Sequence, residues 1–110
     1  MSGGQLGFQI SGYLAIQNGA APDLIVDADH SVRDIYGVLR SASTGAGATL
    51  QINRNGSVWA TVQFDPGITV SGVTPGFELT PLRAGDRLSL DVAGVGTTSP
   101  GSDLTLVVRL

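Results

Sequence analysis

The last nine residues of the chain carry the pattern that most restricts the fold. Leu104, Leu106, Val108 and Leu110 recur at every second position. Because successive side chains of a β-strand point to opposite sides, this period places all four on one face of a strand. A strand with an apolar face must be paired and covered. We therefore expect residues 102–110 to lie inside the protein's own sheet or against another subunit.

Similar short segments recur along the rest of the chain. The 16 glycines and 5 prolines fall in clusters between these segments, as turns between many short strands require. No segment has the length and period of a helix of three turns. About eight short strands at even spacing predict an all-β fold, an antiparallel β-sandwich or jelly roll. We expect residues 1–6 to form a flexible start and residues 7–110 a single sandwich domain.

The hairpin at Asn55-Gly56 admits two registers. A two-residue turn would put Ile52 opposite Trp59, so that the apolar series beginning at Val58 would face the other way. A three-residue loop would put Ile52 opposite Val58 and would keep the apolar residues on one face. Because a slip of one residue turns a whole strand face, we predict the three-residue loop with a glycine bulge.

The edges and outer faces of the predicted sheets need protection from water and from each other. Residues 32–40 carry apolar side chains on both faces, a pattern typical of strands that are covered on both sides. All six basic residues are arginine. Lysine is the usual residue that protects an exposed sheet edge, and the chain has none. We expect copies of the chain to cover these surfaces by forming a homo-oligomer.

Charge and hydropathy exclude several classes of partner. The net charge is −3 and the arginines are scattered, whereas a nucleic-acid-binding protein needs a clustered basic face. No apolar stretch reaches the length of about 20 residues that a membrane span needs, and no signal peptide is recognisable. We expect no nucleic acid partner and no membrane insertion.

Catalytic motifs are missing from the sequence. His30 is the only histidine and Glu78 the only glutamate, and there is no nucleophile elbow, phosphate-binding loop or dinucleotide-binding motif. The chain has no cysteine and so no thiolate site. We therefore expect a protein that is not an enzyme and needs no cofactor.

The segment Asp27-Ala28-Asp29-His30 is the best candidate for a metal site. Asp27 and Asp29 offer hard oxygen ligands and His30 an imidazole. Two carboxylates leave most ligands of a calcium ion unsupplied, and no spaced partners follow. A solvated turn is the simpler interpretation, and we expect no bound metal.

Trp59 is the most informative exposed aromatic residue that the sequence predicts. In the expected register it lies on the outer face beside Gln51 and Asn53. An aromatic ring among short polar groups suits a subunit interface or a sugar-binding surface. The residues that we expect to make interface or ligand contacts are Trp59, Tyr13, Gln51, Asn53, Val107 and Arg109.

Four segments, in order and spacing, carry a resemblance to a known family. They are Ser43-Thr44-Gly45-Ala46, residues 50–59, residues 82–88 and residues 95–110. Over about residues 33–110, the chain resembles a small β-sandwich module of fibre, spike and decoration proteins in tailed bacteriophages and phage-like particles such as gene transfer agents. The resemblance implies a module that oligomerises around a symmetry axis, near the surface that touches the host.

The function expected from this resemblance is structural. The chain would be a virion protein, working as a spike base, a fibre-associated connector or a capsid decoration. Its partners would be further copies of itself and a capsid or fibre protein. It would reside in a virion or phage-like particle that is released by lysis. The alternative is a carbohydrate-binding module that recognises a host surface glycan through the Trp59 face.

Overall fold

The computed structural model describes residues 5–76 and 79–110 of the chain. Its strands are β1 (Gln5–Tyr13), β2 (Leu24–Ile25), β3 (Asp34–Ser41), β4 (Ala48–Arg54), β5 (Ser57–Phe64), β6 (Thr74–Pro75), β7 (Arg87–Gly94) and β8 (Ser102–Arg109). They form two antiparallel sheets, a first sheet in the order β1-β8-β3-β6 and a second in the order β2-β7-β4-β5. The predicted all-β, antiparallel fold is confirmed, and the two four-stranded sheets are compatible with a β-sandwich.

The C-terminal strand β8 is a central strand of the first sheet. It pairs with β1 on one side and with β3 on the other. The alternating residues Leu104, Leu106, Val108 and Leu110 are all buried, none of them more than 6% exposed. Of the two positions that the sequence left open for this strand, the structure has the one inside the protein's own sheet.

The N-terminal strand begins earlier than the sequence predicted. Gln5 pairs with Arg109 and Leu6 with Val108, so both residues belong to β1 and not to the expected flexible start. A central strand that continues to Arg109 offers partners for this extension. The remainder of the expected flexible start, residues 1–4, lies outside the described residues.

The β4–β5 hairpin corrects the predicted register. Asn55 has a φ of 52° and Gly56 a φ of 89°, as a two-residue type I′ turn requires, and Arg54 pairs directly with Ser57. The three-residue loop is therefore wrong. A β-bulge follows at Trp59, so that Ile52 lies opposite Ala60. The extra residue shifts the pairing register by one, as the apolar pattern requires. The shift lies within β5 and not in the turn.

The core lies between the two sheets and is built from the inward positions of the long strands. Its largest fully buried side chains are Phe8, Val26, Ile35, Leu39, Leu50, Ile52, Phe64, Leu82, Leu88, Leu90, Leu104 and Leu106. Since every long strand contributes alternate residues to this layer, the period of two in the sequence translates directly into burial. Val58, which the predicted register placed on this face, is instead 59% exposed.

Gly37 of the first sheet lies against the Phe64 ring of the second sheet. A Cβ atom at this position of β3 would lie 2.8 Å from Phe64 Cζ and 3.1 Å from Leu106 Cδ1. In contrast, a Cβ at Gly7 of β1 would have Leu106 O as its nearest neighbour, at 3.8 Å. Glycine at position 37 therefore gives the Phe64 ring its space.

We expect Gly37→Ala to lower the free energy of unfolding by about 1–3 kcal/mol, because the added methyl group overpacks the core. Chemical denaturation followed by tryptophan fluorescence measures the change. Gly7→Ala is the matched control, and it should leave the denaturation midpoint nearly unchanged. Equal destabilisation by the two variants would contradict the packing assigned to Gly37.

Candidate interaction surface

Each sheet has one long edge strand. These are β1 in the first sheet and β5 in the second, whereas the opposite edges, β6 and β2, are only two residues long. Neither β1 nor β5 contains a charged residue or a proline. An uncharged edge strand offers unpaired backbone N–H and C=O groups to any other strand, so its surroundings decide whether it is accessible.

The edge of β5 is covered by a later part of the chain. The Thr74 hydroxyl donates a hydrogen bond to the carbonyl oxygen of Thr61, at 3.4 Å. The Trp59 indole Nε1–H donates to the carbonyl oxygen of Thr80, at 2.9 Å. The bulge at Trp59 also interrupts the regular strand. These features leave β5 poorly suited to pair with another chain.

The edge of β1 is open. Within residues 5–76 and 79–110, β8 is the only strand that pairs with it. A groove of about 630 Å³ runs beside it. The groove is bordered by Gln5, Gly7, Gln9 and Ser11 of β1 and by Ala21, Pro22 and Leu24 across the gap.

The open edge is also regular over most of its length. From Gln5 to Ile10, β1 pairs residue by residue with β8, and the register shifts only between Ile10 and Tyr13. There the N–H of Gly12 donates to Asp103 Oδ1, at 2.7 Å. Residues 5–10 therefore form a regular edge of the kind that other strands pair with.

Large apolar side chains add to the surface that water contacts. Eight of them in the described part of the chain are more than a third exposed: Tyr13, Ile16, Ile25, Val38, Val58, Ile68, Val70 and Val73. Val38 and Val70 are neighbours, since an antiparallel bridge joins them at the β3–β6 edge of the first sheet. Clusters of this kind occur where proteins meet other proteins.

Arg109 and Val107, which the sequence proposed as contact residues, are largely engaged within the chain. The Arg109 guanidinium donates to both carboxylate oxygens of Asp34 and lies 5.2 Å from the centre of the Tyr36 ring. These hydrogen bonds lower the pKa of the Asp34 carboxyl. Val107 is only 9% exposed.

The Trp59 face is less open than the sequence suggested. The indole packs against the core, and its only N–H group is bonded to Thr80. Gln51 is half-buried, and Asn53 Nδ2 donates to Asp91 Oδ2 at 2.7 Å. These three residues share the second sheet, whereas Tyr13, which is 77% exposed, belongs to the first. The structure therefore divides the proposed contact residues between the two sheets.

The residues that border the open edge were missed in the sequence. Gln9 and Gly7 carry no group that signals a contact. One signal was available in the sequence: this long alternating strand has no proline and no charged residue. A strand of this composition lacks the usual protection of a sheet edge.

The two carboxylates that the sequence proposed as metal ligands contact different groups of the protein. Asp27 Oδ1 lies 3.2 Å from His30 Nε2, while Asp29 Oδ1 accepts a hydrogen bond from the N–H of Ala84 at 2.9 Å. In the described part of the chain, no group of three His, Cys, Asp or Glu side chains is arranged to hold a metal ion. Glu78 lies outside the described residues. A small pocket of about 190 Å³ adjoins His30 and Arg83.

Asp86 is the most heavily bonded carboxylate of the described residues. It is 8% exposed and accepts hydrogen bonds from the N–H of Arg83 at 2.9 Å, from Arg54 Nε at 2.6 Å and from Asn55 Nδ2 at 3.0 Å. These hydrogen bonds lower the pKa of Asp86 to about 2, and the bond from the Arg83 backbone has the largest effect. The carboxylate thereby ties the β4–β5 hairpin to the turn before β7.

Comparison with known proteins adds no family. No protein-family model matches the chain, and no curated protein matches it. The resemblance of residues 33–110 to bacteriophage modules therefore stays a prediction from the sequence. Across the described ranges, no helix has the length and apolar character needed to cross a bilayer.

We expect Asp86→Asn to reduce the loss of stability in acid. The folded-state pKa of Asp86, about 2, lies below the ordinary value of 3.8. The stability that its charge provides is therefore present above about pH 4 and is lost as the pH falls towards 2. Denaturation midpoints measured across this range should fall less in the variant, which should also be less stable than the wild type at neutral pH.

The exposed carboxylate of Asp65 supplies the control. Asp65→Asn should retain the acid-induced decrease of the wild type. If Asp86→Asn shows the full wild-type decrease, the ionised carboxylate does not stabilise the hairpin.

Proposed function

We propose that this chain is a non-enzymatic structural protein of a bacteriophage or phage-like particle, and that it works as a symmetric homo-oligomer joined through β1. The observation that carries the self-association is the open, regular and uncharged edge of β1 beside its groove. The resemblance of residues 33–110 to virion modules supports the location in a particle.

Antiparallel pairing of two β1 strands about a twofold axis suits this edge. Residues opposite each other in an antiparallel pair share a sheet face, so the outward residues Gln5, Gly7 and Gln9 of one strand would meet outward residues of the same uncharged set on the other. No like charges are brought together, because the strand carries none. The backbone groups left unpaired at the edge would gain partners, at about 0.5–1.5 kcal/mol net for each hydrogen bond. The interface is isologous, as in most homodimers.

The remaining exposed apolar residues suit contacts with other particle components. Val38, Ile68, Val70 and Val73 lie on or next to the β3–β6 side of the first sheet, whereas β1 forms its opposite edge. A dimer joined through β1 would present two copies of this apolar side at its ends. It would act as a rigid connector between neighbouring capsid or fibre subunits.

The carbohydrate-binding alternative depends on an open Trp59 ring. With the indole N–H bonded to Thr80 and the ring packed against the core, Trp59 offers little surface for stacking on a sugar. No other observation in the described residues favours a glycan site, so the structural role has the better support.

We expect Gln9→Lys to weaken self-association by roughly tenfold or more, because a charged lysine on an edge strand opposes pairing with another chain. Size-exclusion chromatography with light scattering measures the mass. At micromolar concentration, the wild type should have at least twice the 11.2 kDa of one chain, and the variant should shift towards the monomer.

Gln63→Lys is the matched control, since it adds the same charge to an exposed position of β5, the covered edge. It should leave the mass of the assembly unchanged. A wild-type protein that is monomeric at micromolar concentration, or an equal response to the two lysines, would contradict pairing through β1.

The location is tested separately. Particles released by lysis of the source organism should contain the chain after density-gradient purification, as peptide mass spectrometry would detect. Immunogold electron microscopy should then place it on the head or the tail. Recovery of the chain only in the soluble fraction, with none in purified particles, would exclude a virion role.

A further inference from the structure

The chain contains two Asn-Gly pairs, and their surroundings differ in a way that bears on their chemistry. In such a pair, the backbone nitrogen of the glycine can attack the side-chain carbonyl of the asparagine, because glycine has no Cβ to obstruct the approach. Attack closes a five-membered succinimide ring and expels ammonia. Whether it happens depends on the freedom of the asparagine amide and on a group that accepts the proton of the attacking nitrogen.

At Asn55-Gly56, the asparagine side chain is held at both ends. Its Nδ2 donates to Asp86 Oδ1 at 3.0 Å, and its Oδ1 accepts from the N–H of Arg87 at 2.9 Å. The backbone N–H of Asn55 also donates to the carbonyl oxygen of Arg87, at 2.8 Å. Ring closure would require both side-chain hydrogen bonds to break, so this pair is protected.

At Asn18-Gly19, the backbone is held and the side chain is not. Gln17 and Val92 exchange backbone hydrogen bonds of 3.1 and 2.9 Å, and the N–H of Ala20 donates to the carbonyl oxygen of Leu90 at 2.7 Å. Between these bonds the chain advances three residues, from Gln17 to Ala20, while β7 advances two, from Leu90 to Val92. The extra residue makes a β-bulge, in which Gly19 has a φ of 65°. Asn18 is exposed, and its amide makes no hydrogen bond to any of residues 5–76 and 79–110.

A carboxylate lies against the attacking nitrogen of this second pair. The N–H of Gly19 donates to Asp91 Oδ1 at 3.0 Å. The other oxygen, Oδ2, accepts from Asn53 Nδ2 at 2.7 Å, so that the carboxylate is held in position by β4. A proton acceptor is thus already in contact with the atom that must lose its proton.

We propose that Asn18-Gly19 is a site of self-catalysed deamidation in which Asp91 is the general base. Asp91 accepts the N–H proton of Gly19 as the nitrogen forms a bond to Asn18 Cγ. The bond from Cγ to Nδ2 breaks, and the nitrogen leaves as ammonia with the proton that Asp91 returns. Water then opens the succinimide at either carbonyl, leaving aspartate or isoaspartate at position 18.

The product changes the edge of the second sheet. A carboxylate replaces a neutral amide close to Asp91, which places two negative charges together. Isoaspartate also inserts one more carbon into the backbone between Gln17 and Ala20, the two residues whose backbone groups bond to the backbone of β7. Deamidation should therefore loosen residues 17–20 from β7, and each altered copy gains one negative charge.

The experiment is incubation of the purified full chain in mildly alkaline buffer, followed by peptide mapping with mass spectrometry. The reaction is recognised by the mass change from NH₂ to OH, and isoaspartate is identified by its separate chromatographic peak. We expect Asn18 to react at least about tenfold faster than Asn55, since a positioned general base contributes ~10²–10⁴-fold in enzymes. Equal rates at the two sites, or a faster reaction at Asn55, would overturn the proposal.

Two variants separate the base from its position. Asp91→Asn should slow the reaction at Asn18 by about tenfold or more, because the general base is lost. Asn53→Ala removes the second contact of Asp91 but keeps the carboxylate, and it should change the rate less. An unchanged or faster reaction in Asp91→Asn would mean that the carboxylate only clamps the bulge.

A comparison in guanidinium chloride serves even if a variant does not fold. In the unfolded wild type, both Asn-Gly pairs lose their contacts, so the two rates should converge. The native rate at Asn18 should exceed its unfolded rate, because the fold supplies the base. A native rate at or below the unfolded rate would refute catalysis by the fold.

Discussion

Burial of β8 between β1 and β3 is the interaction on which the other features depend. Its alternate residues, Leu104, Leu106 and Val108, fill the layer between the sheets, while its backbone pairs on both sides. This leaves the first sheet with β1 at one edge and the short β6 at the other. The second sheet packs against the inner face of the first, to which β8 contributes these buried residues.

The edges show how the same fold leaves one strand protected and another accessible. Thr74 and Thr80 bond to the long edge strand β5 after the chain has turned back across it. No corresponding segment in the described ranges pairs with β1. Edge strands without charge or proline pair readily with strands of other chains, so an uncovered edge strand can serve as a binding surface.

Two aspartates of the second sheet region have opposite effects on similar dipeptides. Asp86 holds the side chain of Asn55 and stabilises a hairpin. Asp91 leaves the side chain of Asn18 free and contacts the nitrogen that follows it. The difference is geometric: one carboxylate accepts from the amide that would be attacked, and the other from the attacking group.

The sequence by itself determined most of the residues that face the core, with Val58 as an exception, because a period of two translates into alternate burial wherever a strand is half-buried. It predicted the inward side of Leu50 and Ile52, but not the bulge at Trp59 that maintains it, since a strand and a loop can absorb an extra residue equally well. Only the tertiary structure decided which edge is free and which carboxylate meets Gly19. Asp91 is 72 positions from Gly19 along the chain, and no local pattern records contacts over such distances.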